Sequence, residues 1–317
     1  MTEGPRTVRL DALRAPELRA LPTDRTVFLL PVGPIEDHGE ALPLALDLEE
    51  AEAICKACAE ILTADGWTVV ITPRAALGVD SDTSEIAIRV RPHVLRDYLV
   101  DFCDSLFRSG FRYFIAVSGN AGPRQLTTIE DAGKFLRKRH LRFGIFPKSN
   151  TPLLVSGSSV VFDSEEKSMS PFAMLPPEHG GARDASIALA LASGANQALD
   201  HALIEACPAV AAEGGLFSRW RKWRRGEVRG YWGNPKLGTA ADGHARILEK
   251  ARTISVKFKA ATEGGNGRHI FKSWYSVVPS NQSLFRVWLL VGLLAILLGA
   301  WTFYSLQLFL VGADFAN

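Results

Sequence analysis

Cysteine is scarce. Four residues (Cys55, Cys58, Cys103, Cys207) in a chain of 317 are too few for a disulfide scaffold, which excludes the small stapled folds of secreted proteins. A cationic excess is also missing: 36 Lys and Arg against 34 Asp and Glu leave a net charge of +2. That balance argues against a dedicated nucleic-acid binder, and no nucleic-acid partner is expected. No repeat of about 20–50 residues recurs, so solenoids and propellers are excluded. The N-terminal MTEGPRTVRLDALRAPELRALP mixes charges of both signs and lacks an apolar stretch, so no cleaved secretory signal is expected there. With 47% apolar and 22% charged residues, the chain has the composition of a folded globular protein.

One absence is local. From Val287 to Ala313 no side chain ionises except that of Tyr304, and the stretch exceeds the roughly 20 residues a helix needs to cross a bilayer core. Trp288, Trp301 and Tyr304 supply aromatic groups of the interfacial kind. Arg268, Lys272 and Arg286 precede the span and no Lys or Arg follows it. Positive charge stays inside, so the expected topology is single-pass, with the large N-terminal part in the cytoplasm. The run Arg219–Arg225 holds five cations and two tryptophans. It reads either as a solvated loop or as a second contact with the anionic cytoplasmic leaflet.

In the soluble part, apolar runs alternate with helical patterns. Strands are expected at 26–33, 67–73, 111–118 and 142–146, and helices at 48–62, 91–109, 126–140, 185–192 and 242–262. The buried strands are continuous apolar runs, which indicates an α/β layered fold with a mostly parallel sheet. Cys55 and Cys58 form a C-x-x-C inside a helical pattern with no second pair. They read as buried structural thiols rather than as a redox or zinc site.

Four segments carry chemistry-bearing residues. In GPIEDHGEALPLALD, residues 33–47, Glu36 and His38 are two apart and point to one side of an extended segment. A Gly39-to-Pro43 turn can fold Asp47 back toward them. Two carboxylates and an imidazole suit Zn²⁺ or Mn²⁺, although by spacing alone a metal-free polar loop explains the segment as well. In VSGNAG, residues 117–122, small residues at a strand end let the backbone approach a ligand; an ordinary tight turn is the alternative. In EHGGARDAS, residues 178–186, His179 is a candidate acid/base and Asp184 a candidate cation ligand or helix cap. The turn-rich GYWGNPKLGTAADG, residues 230–243, precedes the last helix of the soluble part.

Together these segments resemble the creatininase (creatinine amidohydrolase) family. That family carries, in order, P-V-G-x-x-E-x-H-G-x-H-L-P-L-x-x-D, N-G-H-G-G-N, H-A-G-E-x-E-T-S and G-x-x-G-D-P-x-x-A-T. This chain has PVGPIEDHGEALPLALD, SGNAGP, HGGARDAS and GYWGNPKLGTA in the same order and spacing, from about residue 25 to about 260. The resemblance implies a three-layer α/β/α sandwich and a two-metal amidohydrolase site. It places Glu36, His38 and Asp47 at ligand positions, with Asp47 as the bridging carboxylate, His179 as the acid/base, and Asp184 where the family has a ligand Glu. Family members act on creatinine, formamide-type groups and peptide ends, so the implied substrate is a small amide, cyclic amide or peptide.

The departures are specific. Asn120 stands where the loop motif has its His ligand, flanked by Ser118 and Pro123, and Ala41 and Ala182 replace a His and a Glu. An Asn carbonyl oxygen is a poor Zn²⁺ ligand, although harder ions accept it. One divalent ion rather than two, or a non-catalytic scaffold that has lost full metal binding, both stay open. The expected organisation is a creatininase-like cytoplasmic domain at 1–266, a juxtamembrane linker at 267–286, a transmembrane helix at 287–313 and a short tail at 314–317. The expected partners are the substrate, the membrane and further copies of the chain in a homo-oligomer.

Overall fold

The run TVFLLPVG has no polar side chain after its first residue, so a sheet can take it only at its centre, covered on both faces. It does so in the computed structural model, which describes residues 4–79, 86–120, 122–140, 152–156, 178–192, 199–210, 230–263 and 282–314. The chain divides into two compact units, Met1–Val278 and Pro279–Asn317.

In the first unit the described strands are β1 (Thr7–Arg9), β2 (Thr26–Gly33), β3 (Ile35–Glu36), β4 (Thr68–Ile71), β5 (Ala75–Ala76), β6 (Ala87–Ile88), β7 (Tyr113–Ser118) and β8 (Leu153–Ser156). The helices are α1 (Ala15–Arg19), α2 (Leu46–Ala64), α3 (Pro92–Arg108), α4 (Pro123–His140), α5 (Ala182–Ala192), α6 (His201–Ala206) and α7 (Ala240–Thr262). The main sheet runs β1-β4-β2-β7-β8, with β5 beside the end of β2, and every pairing in it is parallel. Strands β3 and β6 form a separate antiparallel pair.

Side chains alternate across a strand, and here both faces are apolar. Val27, Leu29, Val69, Ile71, Ile115 and Val117 pack in one cluster with residues of α2, α5 and α7. Phe28, Leu30, Val32, Val70, Phe114 and Ala116 pack in another with residues of α3 and α4. The result is a three-layer α/β/α sandwich. The expected helices are all present with ends moved by a few residues. The last begins at Ala240 because Thr239 caps it, its side chain accepting from the Asp242 N–H at 3.2 Å.

Two strands differ from the sequence reading. The expected strand at 142–146 lies outside the described residues, and β8 pairs with β7 at 153–156 instead. Strand β1, in the charge-mixed N-terminal segment, joins the edge through β4. The four cysteines are free and buried, and burial raises the Cys58 thiol to about 12, so both C-x-x-C thiols behave as core groups.

The second unit is described by one helix, α8 (Gln282–Asp314). Its Leu289–Gln307 section, 19 residues, is long and apolar enough to cross a membrane. Leu290, Ile296, Trp301 and Phe303 stand exposed along it. The Arg219–Arg225 run and most of the 267–286 segment lie outside the described residues.

Candidate metal centre

Loops at the ends of central parallel strands are where α/β sheets place their sites, and three such segments meet here. Pairing of β3 with β6 sets Glu36 opposite Ala87, and the Glu36 N–H donates to the Leu44 carbonyl at 3.0 Å. These bonds close the intervening loop and hold Glu36 and His38 inward, buried to 1% and 3% exposure. The His38 Nδ1–H donates to the Glu36 carbonyl at 3.1 Å. That bond fixes the ring and aims Nε2 at the carboxylates, the kind of support a ligating imidazole needs.

Asp47 sits in the first turn of α2, where the helix dipole favours a carboxylate. The β7 loop reaches it only because residue 119 is glycine: a Cβ there would lie 1.9 Å from the Asp47 carbonyl oxygen. His179 arrives from a loop bridged to Trp232, whose N–H donates to the His179 carbonyl at 2.8 Å while the reverse bond spans 2.9 Å. The Trp232 ring packs on the His179 ring at 5.0 Å. The next residue, Gly180, has φ +61°, and a Cβ would meet the His38 carbonyl at 2.5 Å. The fourth segment of the sequence thus supports the third.

The donor atoms converge. His38 Nε2 lies 3.6 Å from Asp47 Oδ1 and 4.0 Å from Glu36 Oε1. Donor atoms of Glu36, His38 and His179 all fall within 4.8 Å of one another. Donors held about 2.0–2.2 Å from a shared tetrahedral centre stand roughly 3.3–3.6 Å apart. Glu36, His38 and His179 are thus close enough to share one divalent ion, and Asp47 Oδ1 flanks them 3.6 Å from His38 Nε2.

Electrostatics agree with a cation-seeking site. Burial alone would lower the His38 pKa. The Asp47 carboxylate facing Nε2 at 3.6 Å, with the charges of Asp184 and Glu36, overcomes burial and raises it to about 10. Asp47 is held well below the usual carboxylate range: burial opposes this, but the facing His38 and its charge prevail, with Glu36 and the His179 charge acting in the same direction. Without an ion the positive charge is a proton on His38, and an ion binding there must displace it.

Asn120 and Asp184, the remaining sequence candidates, are placed differently. The Asn120 Nδ2 donates to Glu36 Oε1 at 3.0 Å and faces Asp47 Oδ2 at 3.4 Å, while its Oδ1 accepts from the Gly122 N–H at 2.6 Å. The oxygen expected to face a metal faces the backbone. Asp184 Oδ2 accepts from the Gly180 N–H at 2.6 Å, a bond of the capping kind, while its charge still acts on His38. Glu178 was not singled out from the sequence. It accepts from the N–H groups of Ala182 and Arg183 at 2.9 and 2.8 Å and caps α5. An acidic residue four before a helical Ala-Arg-Asp was the available signal.

Residues 11–258 match the family model described as creatinine amidohydrolase. The chain belongs to the creatininase family. Members of that family are amidohydrolases. A creatininase crystal structure superposes with a TM-score of 0.60 at 20% identity, covering 82% of this chain and 98% of that one. A creatininase described as the Mn form gives 0.55 at 21%, covering 82% and 100%. A mutant creatininase of Zn–Zn type gives 0.59 at 20%, covering 82% and 99%. Creatininase structures thus include manganese and zinc forms, and this chain shares their fold. No curated protein matches the chain significantly.

A groove between the Glu40–Pro43 loop, α2 and α5 is lined by Leu42, Ala53, Ala188 and Leu191. None of the converging donors lines it, so it is separate from the cluster of Glu36, His38, Asp47 and His179.

Proposed function

We propose that this protein is a metal-dependent amidohydrolase that cleaves the C–N bond of a small amide, cyclic amide or peptide. Glu36, His38 and Asp47 hold the ion, and His179 moves the proton. Asn120 and Asp184 border the ion site. The observation that carries the reading is the placement of Asp47 Oδ1 and Glu36 Oε1 at 3.6 and 4.0 Å from His38 Nε2.

When bound, a divalent ion, Zn²⁺ or Mn²⁺, supplies Lewis acidity toward a carbonyl oxygen and makes water nucleophilic at neutral pH. The chain does the rest. Glu36, His38 and Asp47 are buried, so the charge they hold is poorly screened. The His179 Nε2–H donates to the Asp37 carbonyl at 2.8 Å, which assigns the basic lone pair of the neutral ring to Nδ1. From there the ring takes a proton from the attacking water and returns it to the leaving nitrogen. Trp232 keeps the ring in place through that exchange.

The same proposal covers location. Residues 1–266 form the catalytic domain on the cytoplasmic side, 267–286 link it, 287–313 span the membrane and 314–317 end the chain. Arg219–Arg225 adds an electrostatic contact with the leaflet, and the domain assembles as a homo-oligomer. Support comes from the apolar 19-residue section of α8 and from the cations that precede it.

A second reading has its own observation. The Asn120 amide donates to Glu36 Oε1 and faces Asp47 Oδ2, so a hydrogen-bond donor rather than a ligand meets both carboxylates, as in a binding scaffold of creatininase fold. Elemental analysis of the purified full chain in detergent decides between them, coupled to an assay of small amides, cyclic amides and short peptides with added Zn²⁺ or Mn²⁺. The expected result is a copurifying divalent ion and C–N hydrolysis. No ion and no hydrolysis across the panel would assign the scaffold.

A further inference from the structure

Asp47 offers its two carboxylate oxygens to different neighbours. Oδ1 faces His38 Nε2 at 3.6 Å, and Oδ2 faces Asn120 Nδ2 at 3.4 Å. Glu36 Oε1 lies 3.0 Å from that same amide nitrogen. One amide group therefore stands between the two carboxylates: it takes the Asp47 oxygen that does not face His38, and it shares Glu36 Oε1, which also lies 4.0 Å from His38 Nε2. We infer that Asn120 is a built-in occupant of one half of a two-ion site, limiting this chain to a single ion on the His38 side. The inference rests on the metal-dependent reading and deepens it.

The orientation of the amide carries the argument. An amide nitrogen has no lone pair for a metal, and its hydrogens present positive charge. They suit two carboxylates and repel a cation. Amide orientation must be judged from the hydrogen-bond network, and here the network decides it. Flipping Asn120 would set its oxygen against Glu36 Oε1 and Asp47 Oδ2, acceptor against acceptor. It would also leave the Gly122 N–H, now donating at 2.6 Å, facing an NH₂ group. Both ends of the amide resist the flip. The carboxylates thus have their charge-assisted donor from within the chain, and a cation on that side must first displace it.

The test is a Zn²⁺ titration of the full-length chain in detergent, stripped with chelator, against a chromophoric competitor that reports stoichiometry. Wild type is expected to bind one ion per chain. Asn120→His replaces the donor with a ligand and is expected to bind two. Asn120→Ala removes the donor, leaves the carboxylates facing each other, and is expected to take a second, weaker ion. The stripped Asn120→Ala protein should also unfold at lower temperature than stripped wild type, and added Zn²⁺ should reverse the loss. Two ions in wild type, or one ion in all three proteins, would overturn the role of Asn120 and leave the metal-dependent reading standing. No ion in any of them overturns that reading, and the stoichiometric inference with it. A wild-type count of two overturns the inference whatever the variants do, and if one variant fails to fold, the count in the other against wild type decides it.

Discussion

The imidazole rings of His38 and His179 stack, with centroids 4.6 Å apart and planes 25° from parallel. The two residues come from segments 141 positions apart in the chain, so the contact exists only in the folded domain. It sets a residue read as an ion ligand against one read as a proton carrier, and the two should be separable by mutation.

Asp47→Ala should lose ion and activity together, because the proposed ion position includes Asp47 Oδ1. His179→Ala should keep the ion and lower kcat by about 10²–10⁴-fold, the usual worth of a positioned acid/base. Elemental analysis beside kcat measurements checks both. Equal loss of metal in the two variants would make His179 a ligand instead.

Glu50 and Lys250 form an ion pair buried between α2 and α7. Burial lowers the Lys250 pKa, against the opposing pull of Glu50. Removing one partner leaves an uncompensated charge in the core. Lys250→Met should therefore destabilise the domain by about 3–5 kcal/mol, while Glu50→Leu combined with Lys250→Met should recover most of the loss. Denaturant melts of the three proteins measure this. A double variant no better than the single would show that the pair contributes more than mutual neutralisation.

Asp104 on α3 is buried. It meets His140 at the end of α4 and Arg108 at 2.9 Å. Burial would raise its pKa, but the His140 bond and the Arg108 and His140 charges hold it below the usual value of 3.8. A depressed folded pKa means the contribution is full above the unfolded value of about 3.9 and is lost as pH falls through the folded one. Asp104→Asn should cost about 1.5–3 kcal/mol near pH 6. The gap to wild type should close as the pH falls through and below the lowered pKa of Asp104. Thermal melts across that range provide the comparison.

Truncation after Ser280 removes α8 whole. The remaining chain should leave the membrane fraction and stay folded, because every converging donor precedes residue 263. Release only in high salt would bring in the Arg219–Arg225 run as a second, screened contact. Retention in high salt would defeat the single-anchor reading.

How much of this was legible in sequence depended on the range of the forces involved. Strand β2 was readable because TVFLLPVG can only be a covered central strand. Glu36 and His38 were readable as a pair because a separation of two fixes the side in extended backbone. Strand β1 was missed because edge strands are short and tolerate charge, and Thr-Val-Arg carries no burial signal of its own. The motif order placed Asn120 beside the carboxylates, but which end of its amide faces them depends on the Gly122 N–H. The Glu50–Lys250 pair joins positions 200 residues apart, and no local pattern announces it.

That last separation bears on how the protein is made. During synthesis, α2 emerges with Glu50 one turn beyond Asp47 while Lys250 has yet to be added. A lone carboxylate resists transfer into a dry interior, so α2 has reason to stay hydrated until the ammonium group arrives from α7. Asp47, on its first turn, is then positioned late. A ribosome-bound chain that stops short of residue 250 should have its sheet strands available for pairing while α2 stays loosely seated on them.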